Sequence, residues 1–163
     1  MIIIVTGTPG TGKTKLAKAL AKRIKSKYID VNKIIDEHSL KESYDRNRQT
    51  YIVDEKKLGK VLISLIKNNK NLVIDSHLSH FIPKKHVDLC LVTKTDIKEL
   101  KKRLEKRKYA KAKIRENLDA EIFDVCHIEA REEGYTPLVL NTTNIPIAQL
   151  VKKVENALRH HKR

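Results

Sequence analysis

The first apolar stretch of the chain, Ile2 to Val5, is an unbroken β-branched run, the pattern of a parallel strand covered on both faces. From Lys13 to Lys25 the period changes, and Leu16, Ala17, Leu20, Ala21 and Ile24 fall on one helical face. Tyr28 to Val31 predicts a short second strand. Glu55 to Asn68 predicts a helix through Leu58, Val61, Leu62, Leu65 and Ile66, with Asp54 as its N-cap. Leu72 to Ile74 and Val87 to Val92 are two further apolar strands. Asp96 and Glu99 predict a capping box that opens a helix from Ile97 to Lys106. One long amphipathic helix is expected from about Lys111 to Glu133, stopped by Gly134. A fifth strand at Leu138 to Leu140 precedes a closing helix from Ile147 to His160, with Pro146 at its start.

Strands alternating with helices predict an α/β fold: a five-stranded parallel sheet with helices on both faces, in three layers. No repeat or Pro/Gly/Ser-rich linker interrupts residues 1–163, so a single domain is expected. Two stretches fall outside the alternation, roughly Asn32 to Val53 and the basic segment from Lys106 to Glu116. In such folds, insertions after the C-terminal ends of strands are where function collects.

Composition narrows the classes. No apolar run is long enough to cross a bilayer, so no membrane role is expected. The N-terminus passes straight into a Gly-rich loop and reads as a strand, not a signal peptide. Cys90 and Cys126 each lie in an apolar segment; that argues against a disulfide framework and for a reducing, cytoplasmic setting. The net charge is +15, a field that attracts nucleotides, RNA or ribosomal surfaces. A charged fraction of 34% with a single Met also fits a thermophilic surface. Such a surface is closer to balanced in sign, so the cationic excess still asks for an anionic partner.

Gly7-Thr8-Pro9-Gly10-Thr11-Gly12-Lys13-Thr14 matches the P-loop pattern without deviation, between a buried strand and a helix. Glycines let backbone N–H groups turn inward toward phosphates, and the helix N-terminus adds its positive dipole end. In that pattern Lys13 bridges phosphate oxygens and the Thr14 hydroxyl ligates Mg²⁺. The expected cofactor is therefore Mg²⁺ with ATP. ATP is expected to meet Gly7, Pro9, Gly10, Thr11, Gly12, Lys13, Thr14 and Lys15.

Leu72 to Ile74 ends in Asp75, a carboxylate where a P-loop enzyme holds the water shell of its metal. His77 follows, and it can position water, sense the γ-phosphate or bond a loop. His80 and His86 have no spacing from Cys90 that matches a structural zinc site. Lys101 to Tyr109 is densely cationic, with Arg103 and Arg107 on one helical face. Arginines so placed can close over a transferring phosphoryl group and stabilise its charge. A solvated basic face is the plainer alternative.

Taken together these segments resemble the P-loop nucleoside monophosphate kinases, specifically the adenylate kinase isoenzyme six group of archaea and eukaryotes. The likeness is carried by the P-loop, Tyr28-Ile29-Asp30-Val31, Val53-Asp54-Glu55, Asp75-Ser76-His77 with Phe81-Ile82-Pro83, Arg103 to Tyr109, and Glu116 to Phe123. It implies reversible transfer from ATP to AMP together with ATP hydrolysis, and action in small-ribosomal-subunit maturation. The resemblance also implies that residues of about 30–53 bind the monophosphate, where Asp30, Asn32, Arg46, Arg48 and Asp54 are the candidates. It implies a lid at about 106–116, with Arg107 on the ATP phosphates and Asn141, Thr142 and Thr143 near the adenine. Lys13, Asp75, His77 and Arg107 form the implied catalytic set, with Thr14 and Asp75 toward Mg²⁺, the latter through water. Two positions depart from the group: Asp36 stands where an arginine often grips the monophosphate, and Lys108 where the lid often has glycine. The competing expectation is an ATPase assembly factor with weak kinase activity that binds a ribosomal protein or ribosomal RNA. A small-metabolite kinase of the shikimate type has no supporting acceptor motif.

Overall fold

The computed structural model of the chain describes residues 1–46 and 50–161. Its elements run β1 (Ile2–Thr6), α1 (Lys13–Arg23), β2 (Lys27–Asp30), α2 (Val31–Glu37), β3 (Lys41–Asp45), β4 (Thr50–Val53), α3 (Glu55–Lys67) and β5 (Leu72–Asp75). Two 3-10 turns, Ser79–Phe81 and Lys84–His86, lead to β6 (Leu89–Lys94). Then come α4 (Ile97–Lys106), α5 (Lys111–Ile122), α6 (Val125–Glu132), β7 (Leu138–Asn141) and α7 (Ile147–His161).

Five strands form one parallel sheet in the order β2-β5-β1-β6-β7. Every residue of β1 is buried, and its alternating side chains feed two separate cores. Ile2 and Ile4 pack with Leu58, Leu62 and Ile66 of α3, whereas Ile3 and Val5 pack with Leu16 and Leu20 of α1 and Leu150 and Val154 of α7. The continuous apolar run is thus explained by helices on both faces. Each such leucine contributes about 1.5–3 kcal/mol on burial. The chain passes from β5 on one side of β1 to β6 on the other. The C-terminal end of β1 therefore opens into the crevice where strand order reverses, the place where α/β sheets hold ligands.

The sequence pattern erred in three places, each for a local reason. Val31 begins α2 instead of ending β2, because the Asp30 carboxylate accepts the Asn32 N–H at 3.0 Å and caps a helix there. The expected long helix is two helices, α5 and α6, broken at Asp124, whose φ of 56° is left-handed. The Asp124 carboxylate accepts from Lys94 Nζ at 2.7 Å, a tertiary bond to which apolar periodicity is blind, and pairs locally with His127 Nδ1 at 2.8 Å. The capping box does not form. Glu99 instead accepts from Arg103 Nε at 2.8 Å, an i,i+4 pair, and the Asp96 side chain makes no cap bond. Within the first insert lie α2 and an antiparallel β3–β4 hairpin.

Candidate active site

The loop between β1 and α1 is shaped by close approach. A Cβ on Gly7, at φ 137°, would collide with the Thr93 carbonyl and approach its hydroxyl to 2.6 Å. Gly10, at φ 96°, lies against Leu100 and Leu104 of α4, within 2.8 Å and 3.0 Å of where its Cβ would be. Thr11 Oγ1 donates to the Thr8 carbonyl at 2.7 Å and meets Thr93 Oγ1 at 2.7 Å. The first turn of α1 carries no acidic residue, and its Gly12 N-cap offers no side-chain oxygen. Its N–H groups and dipole end therefore remain suited to an anion.

Lys13 reaches back over this loop, donating from Nζ to the carbonyls of Gly7 at 2.7 Å and Thr8 at 3.0 Å. Burial pushes its pKa down to about 8; Asp75 opposes that shift and Arg107 adds to it. Thr14 donates from Oγ1 to Asp75 Oδ2 at 2.6 Å, and the Tyr28 hydroxyl donates to the same oxygen at 2.9 Å. Asp75 is 5% exposed. Burial, and after it the Asp75 charge, push the Tyr28 phenol up. Two residues on from Asp75, His77 keeps part of its surface in solvent. Crowding by protein and then the charges of Lys13 and Lys113 push it down to about 4. Its imidazole is neutral at pH 7, able to accept a proton or orient water but not to act as a cation.

The basic segment divides into two kinds of arginine. Arg103 is held: besides Glu99, its Nη1 donates to Thr142 Oγ1 at 3.1 Å, Thr95 Oγ1 at 3.3 Å and the Gly10 carbonyl at 3.4 Å. Its Nη2 donates to the Thr142 carbonyl at 3.3 Å. Arg103 thus braces the P-loop from outside, with little freedom to swing. Arg107, the C-cap of α4, is exposed, and its charge acts on Lys13. Lys108 follows at φ 56°, left-handed at the position where the resembled group favours glycine. Asn141, exposed at the end of β7, donates to Asp96 Oδ1 at 3.4 Å and accepts the Thr143 N–H at 2.8 Å. Lys15 is exposed on α1 beside Thr14.

The acceptor candidates are more scattered. Asp30 lies beside Asp75 in the β2–β5 register and caps α2 through the Asn32 N–H. Asp54 caps α3, accepting Lys57 N–H at 2.9 Å and pairing with its ammonium at 2.9 Å. Arg46 is exposed at the turn of the β3–β4 hairpin, and Arg48 lies outside the described residues. Asp36, in place of the expected arginine, is ion-paired with Lys41.

Three residues of this neighbourhood, Tyr28, Glu121 and His80, escaped the sequence reading of the site. Tyr28 was detectable, since it alternates with Asp30 on one face of a strand; its pairing with β5 was not. Glu121 of α5, 7% exposed, accepts from Thr8 Oγ1 at 2.6 Å and from the Thr95 N–H at 2.9 Å. Thr142, expected near the adenine, donates from Oγ1 to the Thr11 carbonyl at 2.7 Å. His80, fully buried, meets Thr6 Oγ1 at 2.8 Å and Glu129 Oε2 at 3.1 Å. Among the described residues no group of three or more His, Cys, Asp or Glu side chains is arranged to hold a metal ion. No helix among them is long and apolar enough to cross a membrane.

Comparison with known proteins places this geometry. Residues 3–124 match the family model described as an AAA domain. The adenylate kinase isoenzyme 6 homolog of Dictyostelium discoideum is 42% identical over 85% of this chain and 78% of its own. The adenylate kinase isoenzyme 6 homolog FAP7 of Saccharomyces cerevisiae is 38% identical over 85% of this chain and 70% of its own. Among solved structures, shikimate kinase from Acinetobacter baumannii in complex with shikimate superposes with a TM-score of 0.69 at 14% identity, covering 99% of this chain and 94% of that one. Shikimate kinase from Bacteroides thetaiotaomicron superposes with a TM-score of 0.62 at 16% identity, covering 98% of each chain. At those identities the structural likeness speaks for the P-loop kinase fold, and the sequence relatives speak for the family. The chain belongs to the adenylate kinase isoenzyme 6 family of P-loop kinases.

Proposed function

We propose that this protein transfers the γ-phosphoryl group of ATP to AMP, with hydrolysis of ATP as its second reaction. The observation that carries the reading is the Thr14–Asp75 hydrogen bond of 2.6 Å at the foot of a P-loop that also holds Lys13. A hydroxyl and a carboxylate so joined are hard oxygen donors. They suit Mg²⁺, which takes one or two protein ligands and keeps several waters. With ATP bound, Thr14 and Asp75 would hold the ion, which would supply positive charge against the negative charge that spreads over the transferring group.

In the transfer, an oxygen of the AMP phosphate bonds to the γ-phosphorus as the bond to the β–γ bridging oxygen breaks, leaving two ADP. In hydrolysis, water attacks instead, giving ADP, phosphate and a proton. Lys13 and Arg107 supply positive charge to the phosphates, while the P-loop N–H groups fix their position. Neutral His77 orients the water for hydrolysis. Arg103 holds the loop rigid. On the acceptor side, Asp30, Asn32 and Arg46 lie within the insert proposed to take the monophosphate, residues 30–53, and residues 106–116 form the proposed lid. Measuring ADP formation by the purified protein with ATP and Mg²⁺, with and without AMP, tests this reading. AMP is expected to accelerate ADP production well above basal hydrolysis; no acceleration removes the kinase reading and leaves the ATPase.

A second reading, an assembly ATPase that docks on a ribosomal protein or ribosomal RNA, is favoured by one feature. The helices α1 and α7 share one face, where Lys15, Lys18, Lys22, Lys152, Lys153 and Arg159 are exposed. The only carboxylate in the two helices is Glu155, which Arg23 already pairs at 2.8 Å. A nucleotide kinase does not need such a field, whereas a polyanion partner would release counterions on meeting it. Salt-dependent binding of a small-subunit RNA fragment, lost in a Lys18→Glu/Lys22→Glu variant, is the expected result.

A further inference from the structure

Glu121 is a carboxylate with 7% of its surface exposed; among the described residues no ion pair within 4 Å reaches it, and the charge of Lys13 acts on it only from farther away. Burying a charge without a bonded cation is costly, so a merely structural position here would more readily hold leucine or glutamine. What the carboxylate does is accept two donors at once. Oε2 takes the Thr8 hydroxyl at 2.6 Å and Oε1 takes the Thr95 N–H at 2.9 Å. A glutamine can accept only one of these and must turn its own N–H groups toward the other.

The three residues so joined belong to three different parts of the site. Thr8 is the second residue of the P-loop, and its carbonyl accepts from both Lys13 Nζ and Thr11. Thr95 follows β6 and meets Thr142 and Arg103. Glu121 itself is in the last turn of α5, whose first turns form the C-terminal arm of the proposed lid, where Lys113 lies over the Tyr109 ring at 4.7 Å. One turn earlier on the same face, Asn117 is also buried, bonded to the Lys113 carbonyl at 2.7 Å. A helix is stiff over such a span, so the position of Thr8 and the pitch of the lid arm are mechanically joined at Glu121.

We infer that Glu121 is a positioning residue: by holding Thr8 it ties the lid arm to the phosphate loop, so that the two tighten together when nucleotide binds. The inference rests on the nucleotide reading of the P-loop.

Amide exchange followed by mass spectrometry tests it, with and without a saturating β,γ-imido analogue of ATP and Mg²⁺. In the wild type, the analogue is expected to slow exchange by about tenfold or more both in residues 7–14 and in α5. Thr8→Val and Glu121→Gln are each expected to keep the slowing at residues 7–14 and lose it in α5, while Thr8→Ser, which retains the hydroxyl, restores it. Equal α5 slowing in Thr8→Val, Glu121→Gln and wild type overturns the inference. Loss of slowing in both segments overturns it too, because Thr8 and Glu121 would then serve the cradle and not the link. No slowing at residues 7–14 in the wild type is the separate result that removes the nucleotide reading itself.

Discussion

The hydroxyl of Thr14 and the carboxylate of Asp75 meet at 2.6 Å, joining the first turn of α1 to the last residue of β5. These are the two elements that flank the opening at the end of β1. The Tyr28 hydroxyl binds the same carboxylate oxygen from the other side at 2.9 Å. Two donors on Oδ2 fix the orientation of the group, which is what a carboxylate holding a metal's water shell requires.

Asp75→Asn keeps the shape and removes the charge. ADP formation is expected to fall by about 10²-fold or more, with a higher Mg²⁺ concentration needed for half-maximal rate. Tyr28→Phe removes one hydrogen bond to a charged group, worth about 1.5–3 kcal/mol, and leaves the Asp75 side chain itself in place. It should raise the Mg²⁺ requirement several-fold with a smaller loss of kcat. Titrating Mg²⁺ at fixed ATP separates the two, and equal Mg²⁺ curves for Tyr28→Phe and wild type would discard the orienting role of Tyr28.

Most of the sheet was legible because β1, β5 and β6 are buried on both faces and carry continuous apolar runs, while α1, α3 and α7 show clear helical spacing. The P-loop was legible because its residue types are dictated by local backbone geometry. What the pattern missed depends on contacts between distant segments. Asp124 breaks a periodic helix for the sake of Lys94, and Glu121 reads as one charge among many until Thr8 is brought beside it. The fate of Arg103 was hidden for the same reason. On the sequence it pairs with Arg107 as a second lid arginine, whereas in the fold it is tied to Thr142, Thr95 and Gly10.

Lys13 carries a pH signature. Its folded pKa of about 8 lies below the ordinary 10.5, so between those values the unfolded chain binds the proton and the native protein does not. Stability contributed at this site therefore rises with pH through that window and is lowest below pH 8. A phosphate bound beside Lys13 restores its charge. Nucleotide binding at pH 8.5–9 should take up a proton, visible as a calorimetric enthalpy that changes with the ionisation enthalpy of the buffer, and affinity should weaken as pH rises above about 8. Lys13→Met should abolish the uptake; uptake that persists in that variant assigns it to another group.

Lys108 adopts φ 56° at the end of α4, a conformation that costs an L-residue about 1 kcal/mol or more. Glycine adopts it without strain but loses more entropy on folding. Lys108→Gly should be neutral or more stable by up to about 1 kcal/mol, whereas β-branched Lys108→Val should lose about 1–2 kcal/mol. Urea unfolding of both variants measures this. A Lys108→Val protein as stable as the wild type would mean that the turn relaxes to another conformation.

His80 sits behind the P-loop with a second titration of opposite reach. Burial pushes it down to about 4, and His77 adds to the shift. Glu129, 3.1 Å from Nε2, favours the charged ring, but its side chain is 38% exposed and solvent weakens its field, so enclosure of the imidazole wins. In the neutral ring that faces the Glu129 carboxylate, Nε2–H donates to Glu129 and Nδ1 lies against the Thr6 hydroxyl. Between pH 6.5 and about 4 the unfolded chain binds a proton at this position and the native protein does not, so stability falls as pH falls through that window. His80→Gln removes the titration. Its unfolding free energy at pH 7 should be lower by about 1–3 kcal/mol because Thr6 or Glu129 loses a partner. Its decline from pH 6.5 to 4.5 should be shallower than that of the wild type, by up to about 1.4 kcal/mol per pH unit. Urea unfolding across that range measures both quantities. Parallel pH profiles for the two proteins would show that the His80 ring is already charged in the native state, with Glu129 prevailing over burial.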